Sequence, residues 1–242
     1  MSTPTIATIY WRGEKARRGP WRGDPSVAYF SPVIGGSSLS QAFVCHTLER
    51  LRCDGFAEVI TGALAPLEQI PFLTMGFTVD KRLQVLSHPL EDLGGPTDST
   101  FALRAWRRLE LDQVLAVDHH AFSAFWRFDQ AGLKEALNAT PYRRLRVATG
   151  TEDRSRILGY ALTGRGGRHG YLQRLAVEPE EQGRGIGRAL VLDSLRWVKR
   201  WRGSKVMVNT QDDNAGAVRL YHGLGFRTEP TGLAVLSMSL RS

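Results

Sequence analysis

Residues 173–191, QRLAVEPEEQGRGIGRALV, join an apolar segment to an amphipathic one through a turn that holds Gly183, Gly185 and Gly187. The first segment reads as a strand and the second as a helix, so the chain is committed here to a strand, a tight glycine turn and a helix in succession. The first turn of a helix carries amide hydrogens that no carbonyl inside the helix can accept, and the helix dipole puts its positive end at the same place. Ile186, Gly187 and Ala189 put amides in or near that turn. The three glycines let the backbone take positive φ and approach a ligand with no Cβ between them. Arg184 and Arg188 add positive charge beside them. Such a junction suits a diphosphate.

Two familiar glycine motifs do not fit these residues. A P-loop closes on Lys followed by Ser or Thr, whereas Gly187 is followed by Arg188 and Ala189; a dinucleotide fingerprint needs a third glycine where Leu190 stands. The spacing present is Gln-x-x-Gly-x-Gly, from Gln182 through Gly185 to Gly187, after a strand that ends Leu175-Ala176-Val177-Glu178-Pro179. It resembles the acetyl-CoA motif of the GNAT acyltransferase superfamily. Downstream, NAGAVRLYHGLGF (214–226) is similar to the second signature of that superfamily, in which an Asn opens a helix that carries a Tyr and closes on Gly-Phe. The two signatures stand in the family's order.

The resemblance implies an N-acetyltransferase that moves the acetyl group of acetyl-CoA to a primary amine by direct attack in a ternary complex. The acceptor is a small molecule or a peptide amino terminus. A protein that binds acyl-CoA without turnover, as a sensor or scaffold, is the alternative of a different class. The backbone of Leu175 and Val177 is expected along the pantetheine arm. Gln182, Gly183, Arg184, Gly185, Ile186, Gly187, Arg188 and Asn214 are expected around the rest of the cofactor. Tyr221 stands at the family position of the acid that protonates the leaving thiolate. Residues 214, 218 and 221 share one helix face, so Asn214 is placed with Tyr221 as well as at the helix cap. Some relatives carry a Glu on the strand before the loop where this chain has Tyr171, which leaves the general base unassigned. Acceptor contacts are expected from Tyr171 and from the aromatic stretch 121–129, AFSAFWRFD, through Phe122, Phe125 and Trp126.

The order of elements supports the same fold class. From Phe101 onward the pattern reads strand, two helices, three strands, helix, strand, helix, strand. This is the α/β (α+β) order of a GNAT fold, with a mixed, mostly antiparallel central sheet flanked by helices. A turn-rich stretch at 93–99 divides the chain into a domain over 1–95 and a catalytic domain over 96–242, closed by a strand at 233–240. The first 95 residues repeat helix, strand, helix, Gly-Phe and strand around Gly76-Phe77. They read as a shortened, degenerate second half that lacks the first strands of the fold, similar to tandem GNAT proteins of actinobacteria. Gly35-Gly36-Ser37-Ser38 falls where its own phosphate loop would lie, without the Gln-x-x-Gly-x-Gly spacing.

Charge narrows the partners. Of 32 basic and 24 acidic residues, positions 1–95 hold 9 of each, so the net +8 resides in 96–242. A basic face draws polyanions, and with no nucleic-acid-binding signature the expected polyanion is the cofactor rather than DNA or RNA. No apolar run approaches the ~18 residues of a membrane span, and the start of the chain has no apolar core of a secretory signal. Cys45 and Cys53 lack metal-ligand spacing, and the adjacent His119 and His120 would diverge on a helix, so no metal is expected. A cytoplasmic protein, monomeric or homodimeric, is the resulting expectation.

Overall fold

The computed structural model describes all residues except 1–5, 23, 34–37, 92, 94–100 and 242. The glycine loop at 35–37 and most of the turn at 93–99 therefore lie outside the described residues. Two compact units emerge: residues 1–85, 211–213 and 229–242 form the first, and residues 86–210 with 214–228 form the second.

In the first unit β1 (Ala7–Trp11), β2 (Glu14–Trp21) and β3 (Asp24–Pro32) precede α1 (Gln41–Cys53), β4 (Glu58–Ile60), α2 (Pro66–Thr74) and β5 (Thr78–His88). The residues of β5 after Val85 belong to the second unit. The meander β1–β2–β3 corrects the expectation that this half lacks its first strands. The β1–β2 turn is built on Arg12 (φ 48°) and Gly13 (φ 85°), so both central residues take the positive φ that a two-residue hairpin requires. Arg, Lys, Gly and Pro within EKARRGPW (β2) break the alternating pattern by which a strand is recognised. Strand order in this unit runs β1-β2-β3-β4-β12-β5, where β12 (Leu233–Ser239) comes from the end of the chain. Among the described residues of this unit only β3–β4 is a parallel pair. Phe30, Phe43, Leu48, Leu51, Phe72 and Leu236 form its core, each almost free of solvent contact.

In the second unit β6 (Phe101–Ala105), α3 (Leu111–Ala121), α4 (Gln130–Asn138), β7 (Tyr142–Gly150), β8 (Ile157–Gly166), β9 (His169–Val177), α5 (Ile186–Arg200), β10 (Lys205–Gln211), α6 (Ala215–His222) and β11 (Arg227–Thr228) follow in order. The sheet runs β10-β9-β8-β7-β6, antiparallel except for β9–β10, while β11 pairs Leu86 and Ser87. This is the mixed, mostly antiparallel sheet flanked by helices that the sequence predicts. Leu190, Leu195 and Val198 of α5 pack with Leu172 and Val206 on one face. Val114 and Val117 of α3 and Leu133 of α4 pack with Tyr160, Leu162 and Ala176 on the other. Asp129 caps α4 as predicted, its carboxylate accepting from the Gly132 amide at 2.6 Å.

The predicted division at 95/96 differs from the compact units. Residues 229–242, expected to close the domain over 96–242, belong to the first unit, because β12 pairs β4 and β5. Among the described residues no helix is long and apolar enough to cross a membrane.

Candidate functional site

The site begins with a break in pairing. β10 runs beside β9 only from Lys205–Met207 against His169–Tyr171, and beyond Tyr171 no β9 residue pairs with it. On its other edge β9 stays paired to β8 up to Val177, and the Glu178 amide donates to the Leu158 carbonyl at 2.9 Å. Backbone groups alternate edges along a strand, so if residue 178 points at β8, the amides and carbonyls of Leu175 and Val177 point into the gap on the β10 side. An open strand edge of this kind receives the amides of an extended ligand.

A register shift marks the middle of β9. Leu162 pairs with Arg174 and Thr163 with Leu172, which leaves Gln173 as a bulge. The extra residue puts Leu172 and Leu175 together on the α5 face, and Tyr171, Arg174 and Ala176 on the α3 face.

At the end of β9 a 3-10 turn (Pro179–Glu181) leads into the glycine loop. Gln182 Nε2 donates to the Val177 carbonyl at 3.3 Å, which ties the loop back to the strand. Gly183 (φ 78°) and Gly185 (φ 84°) take left-handed conformations, and Gly185 is the N-cap of α5, which therefore starts without a capping side chain. The amides of Ile186, Gly187 and Arg188 have no acceptor inside the helix. The Ala189 amide, expected among them, donates to the Gly185 carbonyl at 3.0 Å, so Arg188 replaces it in the set. The two arginines are not simple free charges. Arg184 pairs with the mostly buried Glu181, and Arg188 Nη1 donates to the Gly223 carbonyl at 3.3 Å, linking α5 to the end of α6.

Asn214 caps α6, its Oδ1 accepting from the Ala217 amide at 3.0 Å. Tyr221 lies two turns on, about 10 Å along the axis, on the same face. It is buried, its ring 5.4 Å from that of Phe226, and burial pushes its phenol well above the ordinary tyrosine range. The proton therefore stays on Tyr221 throughout the physiological range.

On the other side of β9 the aromatic stretch is anchored rather than loose. Arg174 donates through Nε and Nη2 to both oxygens of Asp118 at 2.7 and 2.8 Å, and through Nη2 to the Trp126 carbonyl at 2.6 Å. Its guanidinium lies 3.5 Å from the centre of the Phe122 ring and 4.1 Å from that of Phe128. Asp118, with no solvent exposure, also accepts from the Tyr160 hydroxyl at 2.6 Å and from the Phe128 amide at 2.7 Å. Phe125 and Trp126 meet edge to face, and Tyr171 stays exposed on the strand. Phe122, Trp126 and Arg174 are thus joined, with Tyr171 on the same strand face.

The sequence reading missed the Asp118–Arg174–Tyr160 cluster. The signal was a carboxylate on the apolar stripe of α3 and an arginine inside an apolar strand, two charges that need each other if buried. Glu178, at the end of β9, is held as well. Its side chain is 14% exposed and accepts from His120 Nδ1 at 3.0 Å, while His119 turns to the Phe128 carbonyl.

A family model described as Acetyltransferase (GNAT) family matches residues 105–226. A mycothiol acetyltransferase of Rhodococcus jostii (strain RHA1) is 28% identical over 239 residues, covering 90% of this chain and 77% of that protein. One from Mycobacterium marinum is 30% identical over 258 residues, covering 88% and 79%. Among solved structures, a tandem GNAT protein from the clavulanic acid biosynthesis pathway has a TM-score of 0.75 at 14% identity, covering all of this chain and 86% of its own. A GCN5-related N-acetyltransferase from Sphaerobacter thermophilus has a TM-score of 0.64 at 17% identity, covering 95% and 78%. With half the chain matched by the family model, around the open strand edge and the uncapped helix start, the protein belongs to the GNAT acetyltransferase family and is an acyltransferase.

Proposed function

We propose that the protein transfers the acetyl group of acetyl-CoA to the primary amine of a small molecule. The observation that carries this reading is the early end of β9–β10 pairing next to three unpartnered amides at the start of α5. The backbone of Leu175 and the Val177 amide would hold the pantetheine amides. The Val177 carbonyl is already engaged by Gln182. The amides of Ile186, Gly187 and Arg188 would hold the diphosphate. Bound there, acetyl-CoA supplies an acyl group activated as a thioester.

The protein's own residues have two proton tasks. An alkylamine with a pKa near ~10.4 is almost wholly protonated at neutral pH and must lose a proton before it attacks. No residue is assigned to that step, because Tyr171 stands where a carboxylate base would. Tyr221 Oη holds the proton that the departing sulfur takes up, and its burial keeps that proton in place until thiolate develops.

The acceptor wall is the anchored stretch of Phe122, Phe125 and Trp126 with the exposed Tyr171. Relatives that align along most of the chain are named mycothiol acetyltransferases, which favours a small-molecule acceptor over a peptide amino terminus. Membership of an acetyltransferase family favours turnover over the sensor reading. The first unit, with its own meander, helix and strand, reads as a partial second GNAT-like half. Thiol release from acetyl-CoA, measured across a panel of small-molecule amines and peptides, tests the assignment. Release with small-molecule amines is expected, and release with peptides alone would overturn the acceptor class.

A further inference from the structure

The first unit contains a cavity of about 220 Å³ between the β1–β2 hairpin and α1. One side of it is aromatic. Trp11 stacks on Phe43 with centroids 5.7 Å apart and planes 18° apart, and on His46 at 5.3 Å and 15°. The other side is cationic, lined by Arg18 and Arg50. Arg18 is mostly buried and pairs with Asp54. Burial first, and then the nearby charge of Arg50, push the Arg18 guanidinium below its ordinary range. Asp54 pairs with Arg18, and the second cation, Arg50, lines the same cavity from an exposed helix position, where a bound anion would neutralise it.

Thr47 supplies an independent sign. It lines the same cavity, is 1% exposed, and its hydroxyl is buried without a hydrogen-bond partner. Buried hydroxyls are almost always paired, and an orphan beside two cations suits a ligand oxygen. The volume sets the size of the guest. It falls below the ~300–1,000 Å³ of sites that take drug-sized molecules, which leaves room for one ring and its anionic group.

We propose that this cavity binds a small organic anion with a flat ring, its carboxylate or phosphate received by Arg18, Arg50 and Thr47 and its ring laid against Trp11 and Phe43. The site belongs to the first unit and shares no residue with the acyl-donor site, so its fate is independent of the proposed reaction.

The test is calorimetric titration of the full-length protein with benzoate, phenyl phosphate and inorganic phosphate, with tryptophan emission recorded in parallel. Benzoate and phenyl phosphate separate a carboxylate guest from a phosphate one. At least one of them is expected to bind saturably at one site, at least tenfold tighter than inorganic phosphate. Arg50→Gln, a change at an exposed helix position, should weaken that ring probe at least tenfold while thiol release from acetyl-CoA stays unchanged. Thr47→Val keeps the side-chain shape and should also weaken it. The proposal is overturned if neither ring probe saturates, if inorganic phosphate binds as tightly as the ring probes, or if both variants bind like the parent protein.

Discussion

Tyr221 and Tyr160 are both buried phenols with raised pKa values, yet they are held in different ways. Tyr160 donates to Asp118, and burial with that carboxylate keeps it neutral, whereas Tyr221 owes its shift to burial alone. Removing the Tyr221 hydroxyl leaves the packing against Phe226 intact. Tyr221→Phe is therefore expected to bind acetyl-CoA like the parent by calorimetry and to lose about 10²-fold in kcat; an unchanged kcat would remove Tyr221 from the mechanism. Both tyrosines also bear on alkaline stability. A group whose folded pKa is raised contributes stability that is intact below its unfolded pKa, about 10 for tyrosine, and loses it as pH climbs toward the folded value. Melting temperature should therefore fall above pH ~10, and Tyr221→Phe should fall less steeply. Arg174 is a structural residue of the same weight. Arg174→Ala would leave the Asp118 carboxylate buried with no cation, an expected loss of about 3–5 kcal/mol in chemical denaturation.

The junction between β9 and α5 places demands on the backbone that a single atom can break. Gly185 sits at φ 84° at the N-cap, where a Cβ costs about 1–2 kcal/mol even though nothing lies within 4 Å of it. Gly185→Ala should therefore lower the affinity for acetyl-CoA at least tenfold in a titration, by tilting the first helical amides, while the core beneath α5 stays folded. The order of elements at this junction was legible, because a strand, a glycine turn and an amphipathic helix are all written in local sequence. The Gln173 bulge was not, since one extra residue in a strand leaves no mark on composition, and it decides which side chains of β9 face α3. The β1–β2 hairpin escaped recognition for a related reason. Its turn uses Arg12 where Asn or Asp gives the usual signal, and β2 carries Glu, Lys, two Arg, Gly and Pro in eight residues.

Across the whole molecule, the last strand is the point at which chain order and compact structure part. β12 lies between β4 and β5 in the sheet order of the first unit, pairing Ser237 with Ile60 and Leu233 with Leu83. A fragment over 96–242, the domain that the sequence predicts, would carry this strand without either partner, its apolar Val235 and Leu236 no longer buried. Limited proteolysis of that fragment is expected to remove residues 229–242 early, whereas the same segment should resist in the full chain. Equal resistance in both would show that the strand finds another partner.

The sequence by itself determined the helices and all but one short strand of residues 101–240, the glycine turn at 182–188, the capped helix that carries Tyr221 and the family to which they belong. All of these rest on contacts within a few residues, where the period of apolar positions, a helix cap and a glycine leave direct traces. Only the tertiary structure decided that Gln173 bulges from β9, that Asp118, Tyr160 and Arg174 meet, and that β12 joins the first unit. Periodicity tells which face of a strand is buried but not which neighbour its edge will take. That choice is made by hydrogen bonds and burial between residues far apart in the chain.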